Sequence, residues 1–228
     1  MIAQPNQSDW ARLFRIARNL IRQVNSEQSI IDRWTFGGAT ALMLQIGHRE
    51  SHDVDIFLGD PQLLPYLDPQ TRDFKFEIRP SDYRGDGSRF LKLAFDGIGE
   101  IDFIVDLPKT AEPTIDRVID GEKILLETVP EIISKKIVHR ASRLQPRDIF
   151  DIAAAGEQFS ASVITALRSY KTEVATAIKT LAAQNPVVLN EVISCLQIRE
   201  KFRPLAATAI ERASKILQAA SAGPLAAA

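Results

Sequence analysis

The sequence has one cysteine, Cys195, so no internal disulfide can brace the chain, which fits a reducing cytoplasm. Cys195 falls in an apolar helical stretch, where a free thiol is expected as buried filler. Long hydrophobic runs are absent. None approaches the roughly 18 residues that span a bilayer, and nothing at the start reads as a secretory signal, so a cytoplasmic protein with no membrane partner is expected. There is no Ser/His/Asp pattern, no Walker-type glycine loop, no internal repeat and no low-complexity linker. Three histidines are unremarkable; His48 and His139 could act as general bases, with loop or solvent roles the plainer alternative. Excess charge is lacking as well, since the net value is −1. That value hides an asymmetry: 21 acidic and 15 basic side chains up to residue 130, then 8 and 13. The first part suits a metal-loaded catalytic half, the second a half that receives a polyanion.

What is present is ordinary for a soluble globular chain, 45% hydrophobic and 25% charged over 228 residues, enough for one large domain or two small ones. Residues 9–24 read as an amphipathic helix, with Trp10, Leu13, Phe14, Ala17, Leu20 and Ile21 at helical spacing and Ser8 or Asp9 as cap. Arg12, Arg15, Arg18 and Arg22 take its other faces, either as a solvated cationic surface or as part of a nucleic-acid path. A short helix is expected over 61–67. Strands follow over 74–79, 89–95 and 100–105, separated by turns at 82–88 and 96–99, and their short connections favour antiparallel pairing. Residues 108–120 read as a crossover and 122–127 as one more strand. From Pro130 the pattern is helical. Gln145-Pro146 breaks that helix, residues 147–152 start another with Asp148 near its N-terminus, and three longer helices are expected over about 161–183, 186–202 and 204–220, before an Ala-rich end that frays.

The chemistry concentrates between Phe36 and Phe57. A double glycine, Gly37-Gly38, follows the strand-like run 33–36 and opens a helix carrying Thr40, Leu42 and Ile46. Glycines at such a junction let a ligand approach the backbone, and the free amides of a helix start suit phosphate. The next strand carries Asp53 and Asp55, two residues apart and therefore on one face. Like charges held so close repel unless a cation lies between them. Oxygen ligands beside a phosphate-friendly turn suit Mg²⁺ carrying a nucleoside triphosphate, rather than zinc on His48 and Asp53. In the strand over 100–105, Glu100, Asp102 and Ile104 alternate with Ile101, Phe103 and Val105, so Asp102 sits on a polar face where it could join the pair.

These residues resemble the nucleotidyltransferase superfamily signature of a Gly-Gly turn, a helix and Asp-x-Asp on a strand. More closely, the run from Gly37 to Leu42, Gly47-His48-Arg49, Ser51 and Asp53-Val54-Asp55-Ile56-Phe57 is similar to the AbiEii/AbiGii toxin family. Fourteen residues, 39–52, separate Gly38 from Asp53, longer than the common superfamily spacing but in keeping with the toxin branch, where Gly-His-Arg fills the loop. Glu131, Lys135, Lys136 and Arg140, followed by Arg147-Asp148-x-x-Asp151, resemble the family's second block. The resemblance implies an α/β (α+β) fold: a nucleotidyltransferase-type catalytic domain with a small mixed sheet over 1–128, then a helical domain over 129–228, with the active site in the cleft between them. It also implies Mg²⁺-dependent transfer of a nucleoside monophosphate from an NTP to an acceptor hydroxyl. Asp53, Asp55 and Asp102 would hold metal, Asp102 would help deprotonate the hydroxyl, and Lys136 would offset phosphate charge. Gly37, Gly38, Thr40, Arg49, Ser51, Arg140, Arg147 and Asp151 would complete the nucleotide site. Arg147 and Asp151 could equally be a helix-surface pair, or Asp151 could orient Arg147 or Lys136. The implied role is the toxin of a bacterial toxin–antitoxin or abortive-infection pair, with tRNA or another RNA as acceptor and a cognate antitoxin as partner. A small-molecule acceptor, self-modification, or a non-catalytic nucleotide- or partner-binding protein on the same scaffold are the alternatives.

Overall fold

The computed structural model describes residues 9–26 and 28–222. Ser8 and the last six residues of the Ala-rich end therefore lie outside the described part. The fold is mixed α/β, and the chain divides into two compact units. The first comprises the described residues up to Ala41, then Ser51–Leu107 and Thr114–Glu127; the second comprises Leu42–Glu50, Pro108–Pro113 and the chain from Thr128.

In the first unit, α1 (Trp10–Val24) turns Leu13, Phe14, Ala17, Leu20 and Ile21 inward, as its spacing requires. The chain then builds β1 (Thr35–Gly37), the first turn of α2 (Gly38–Ile46), β2 (Val54–Leu58) and a short α3 (Leu64–Leu67). Five strands follow: β3 (Asp82–Gly85), β4 (Phe90–Phe95), β5 (Gly99–Val105), β6 (Thr114–Ile119) and β7 (Glu122–Glu127). All seven strands form one mixed sheet in the order β3-β4-β5-β2-β1-β7-β6. One face buries Leu91, Leu93, Val54, Ile56, Ile101, Phe103 and Phe36. The Phe14 ring stacks on Phe36 at 4.5 Å between centroids. Because strand residues alternate faces, closing this core leaves Lys92, Asp102, Asp55 and Gly37 on the opposite one.

The arginines of α1 hold partners within this unit. Arg12 and Arg15 meet Glu77 at 3.1 Å each. Arg18, only 5% exposed, reaches Asp120 at 3.1 Å and Glu122 at 2.8 Å, and Arg22 also pairs with Glu122. The cationic face is thus spent on internal ion pairs rather than on solvent alone.

Several elements differ from the sequence reading. Residues 74–79 are not a strand. The Lys75 N–H donates to Gln23 Oε1 at 2.8 Å and the Gln23 side-chain amide donates to the Lys75 carbonyl at 3.0 Å, so α1 rather than a ladder satisfies this backbone. Asp82–Gly85, expected as a turn, and Thr114–Ile119, expected within a crossover, are the sheet's two edge strands. Both are mostly exposed and lack a hydrophobic face to betray them.

In the second unit, α4 (Val129–Arg140) starts at Thr128, whose hydroxyl accepts from the Glu131 N–H at 3.4 Å. It is followed by α5 (Pro146–Leu167), α6 (Lys171–Ala183), α7 (Pro186–Ser194), a 3₁₀ stretch (Glu200–Thr208) and α8 (Ala209–Ala222). The expected helix over 161–183 is interrupted at residues 168–170, and that over 186–202 stops at Ser194. Cys195 is exposed, not buried: α7 turns only Leu189 and Ile193 inward, and two residues beyond Ile193 the helix faces away.

Candidate active site

Register brings the acidic residues together. Across β4, β5, β2 and β1, Lys92, Asp102, Asp55 and Gly37 are successive in-register partners, forming one cross-strand row. Neighbouring strands lie about 4.8 Å apart, so the Asp55 and Asp102 carboxylates are direct neighbours. Asp53 immediately precedes β2, and its Oδ1 accepts from the Glu100 N–H at 3.1 Å. Burial pushes the Asp102 carboxyl above its ordinary range; Lys92 opposes this, while Glu100 and Asp53 add to it. Asp102 Oδ2 lies 3.1 Å from Lys92 Nζ, whereas its Oδ1 is buried with no hydrogen-bond partner.

The glycines are fixed by this row. Gly38 has φ of +69°, and a Cβ there would stand 1.8 Å from Asp55 Oδ2. At Gly37 a Cβ would lie 2.2 Å from Glu127 Oε2 and 2.5 Å from the Phe57 ring. Glu127 is buried, and its other oxygen accepts from the Thr35 hydroxyl at 2.7 Å. Thr40 and Ser51 are buried, their hydroxyls 3.0 Å apart, and the Thr40 hydroxyl also donates to the Asp53 carbonyl. They therefore tie the start of α2 to the approach of β2. Gly38→Ala should shift Asp55 and strain the left-handed turn, costing about 1–2 kcal/mol. Urea unfolding at the parent midpoint would refute that account of Gly38.

The second block forms a buried network inside the second unit. Asp151, fully buried, receives a bidentate grip from Arg49, with Nε at 2.7 Å and Nη2 at 2.9 Å. His48 Nε2 lies 2.8 Å from Asp151 Oδ1, and Lys136 Nζ lies 3.0 Å from Oδ2. Lys136, 8% exposed, also reaches Asp148 at 2.7 Å, and Arg140 meets the same carboxylate at 3.3 Å. Burial disfavours ionisation of both aspartates. Lys136 and Arg49, with a hydrogen bond from His48, overcome it and hold Asp151 well below the ordinary range; Lys136 and Arg140 lower Asp148.

Asp151 pairs with Lys136 and is no helix-surface partner of Arg147, which is exposed. His48 lies in the loop between α2 and β2, but it is fully buried rather than solvent-facing. A carboxylate only accepts, so its Nε2 carries the hydrogen, and its ring stacks on Phe150 at 6.0 Å. His139 is exposed.

Glu131, fully buried, accepts from the Lys109 N–H at 2.9 Å and the Thr110 hydroxyl at 2.7 Å, with Lys135 at 3.7 Å. Lys92, Glu100 and Glu127 carry no sequence motif. Their place beside the acidic row follows from register, which a single sequence does not display.

The donor set can be tested against Mg²⁺. Among the described residues, no three His, Cys, Asp or Glu side chains form a preformed metal cage. None is required, because Mg²⁺ keeps several waters and is commonly held by one or two carboxylates plus substrate phosphates. The partnerless Asp102 Oδ1 beside Asp55 fits that mode of binding.

Carboxylates aligned next to a double-glycine turn on a mixed sheet suit a nucleotidyl transferase. A family model, that of the nucleotidyl transferase AbiEii toxin of type IV toxin–antitoxin systems, matches residues 19–212. The chain belongs to this family. It is therefore a nucleotidyl transferase of the toxin type, whose counterpart is a cognate antitoxin. No curated protein matches the chain.

Proposed function

We propose that the protein transfers a nucleoside monophosphate from an NTP to an acceptor hydroxyl, tRNA being the favoured acceptor, and that it does so with Mg²⁺ in the cytoplasm. The observation that carries this reading is the row Asp102–Asp55–Gly37, with a partnerless buried oxygen on Asp102 and Gly38 pressed against Asp55. Asp53, Asp55 and Asp102 would hold the metal, which would supply Lewis-acid stabilisation of charge on the reacting phosphate. Asp102, held at one oxygen by Lys92, would turn its uncommitted oxygen to the metal, and its negative charge beside the acceptor would help deprotonate the hydroxyl. Gly37 and Gly38 keep side chains off a turn crowded by Asp55 and Glu127, and the start of α2 beside it is where phosphate oxygens would be received.

The second block supports the reading more indirectly. Lys136 has the charge to offset a triphosphate, but Asp148 and Asp151 hold it in place. Arg49 and Asp151 brace that lysine, while Arg140, 40% exposed, and the exposed Arg147 carry guanidinium groups suited to gripping phosphate oxygens. Thr40 and Ser51 shape the glycine turn. The test is incubation with each α-labelled NTP, Mg²⁺ and total RNA. Label should pass to RNA of tRNA size. Label on the protein itself, on a small molecule or on nothing would reject the RNA acceptor.

A further inference from the structure

Among the carboxylates of the acidic face stands one cation that no motif assigns. Lys92 lies on β4 in register with Asp102. Its ammonium contacts Asp102 Oδ2 at 3.1 Å and also bonds a carboxylate oxygen of Glu100. The side chain is only 20% exposed, so the ammonium is held at the face rather than trailing into water. Glu100 in turn gives its backbone N–H to Asp53 Oδ1 at 3.1 Å. One lysine therefore links Asp102 and Glu100, and through the Glu100 backbone meets Asp53.

We propose that Lys92 is a positioning residue for divalent-metal binding: its ammonium holds Asp102 by Oδ2, leaves Oδ1 as that residue's single metal-facing oxygen, and supplies a positive charge that a second divalent ion would otherwise bring. This deepens the nucleotidyl-transfer reading and rests on it. Four carboxylates (Asp53, Asp55, Glu100 and Asp102) share this face of the sheet, and without a resident cation they would draw in excess metal before any nucleotide arrived. With Lys92 in place the bare site attracts metal weakly, and a metal–nucleotide complex becomes the better ligand, because its phosphates supply the missing oxygens. At a separation near 5 Å, a charge removed from the neighbourhood of a divalent ion changes binding by about tenfold or more, even at high effective dielectric.

The experiment uses Mn²⁺ without nucleotide, titrated into the full chain while free Mn²⁺ is followed by its paramagnetic resonance signal. Thermal melting checks the fold of each variant. Lys92→Met should bind Mn²⁺ about tenfold more tightly than the parent, and Lys92→Arg should stay close to it. Should Lys92→Met fail to fold, Lys92→Gln removes the same charge and gives the same reading. In an Asp102→Asn background the Lys92→Met effect should shrink, because the part exerted through the held carboxylate is lost while the direct charge repulsion remains. Unchanged or weaker Mn²⁺ binding by the charge-removing variants overturns the proposal, and so does an undiminished effect in the Asp102→Asn background. Asp55→Asn reports separately on the underlying reading. If it binds Mn²⁺ as the parent does, the metal lies elsewhere and the acidic-row assignment itself fails.

Discussion

Asp55→Asn should lower nucleotide transfer by about 10²–10³-fold or more, the scale on which one preorganised electrostatic contact to a reacting centre counts. It should do so without unfolding the chain. Asn has nearly the same shape, and Asp55 sits among like charges, with Asp102 opposite it in the neighbouring strand and Asp53 two residues before it. Removing one negative charge from that row relieves repulsion, so the melting temperature should hold or rise. Single-turnover transfer from a labelled NTP, run beside a thermal melt, separates the two quantities. Activity within tenfold of the parent would remove Asp55 from the chemistry. A collapse of the fold would instead mean that the carboxylate serves mainly to brace the Gly38 turn.

The second large effect concerns stability and lies at Asp151. Asp151→Asn keeps the shape of the side chain but leaves Lys136 and Arg49, both buried, without their shared counter-ion. Breaking a buried pair from one side costs about 3–5 kcal/mol, because the remaining charge cannot be solvated. For a chain of this size the melting point should fall by roughly 10 °C. A loss below 1 kcal/mol would show that water reaches the network on its own. The pH dependence follows from the same residues. Both Asp148 and Asp151 have folded-state carboxyls below the ordinary range, despite burial, because Lys136 and its neighbours outweigh it. Their contribution is complete above the unfolded carboxylate value near about 4 and is lost as the pH falls from there through the depressed folded values. Stability measured from neutral pH into acid should therefore drop steeply below pH of about 4, and the drop should be shallower in Asp151→Asn.

The sequence by itself determined more of the site than of the elements around it. Gly37-Gly38 and Asp53-Val54-Asp55 are legible because the chemistry is local. A turn that presses on a carboxylate admits no Cβ, and a strand's period of two places paired acids on one face. The amphipathic period of α1, Pro130 in the first turn of α4 and the break at Gln145-Pro146 are legible for the same reason. The Asp120-Gly121 pair, with φ of 50° and 74°, is a hairpin-turn signal that the reading of 108–120 as a crossover passes over, and the exposed β6 itself shows no pattern. Only tertiary structure decided which strands are neighbours. Lys92 is a middle residue of an alternating strand until β4 pairs with β5 and sets it against Asp102. His48 and Arg49 read as loop residues until Asp151, 103 and 102 positions later, gathers them into one buried network. Segment 74–79 has the alternation of a strand but spends its backbone on Gln23 instead. For His48, Arg49 and segment 74–79 the deciding interaction joins residues far apart in the chain, while Lys92 and Asp102 meet across a short turn whose register one-dimensional periodicity does not carry.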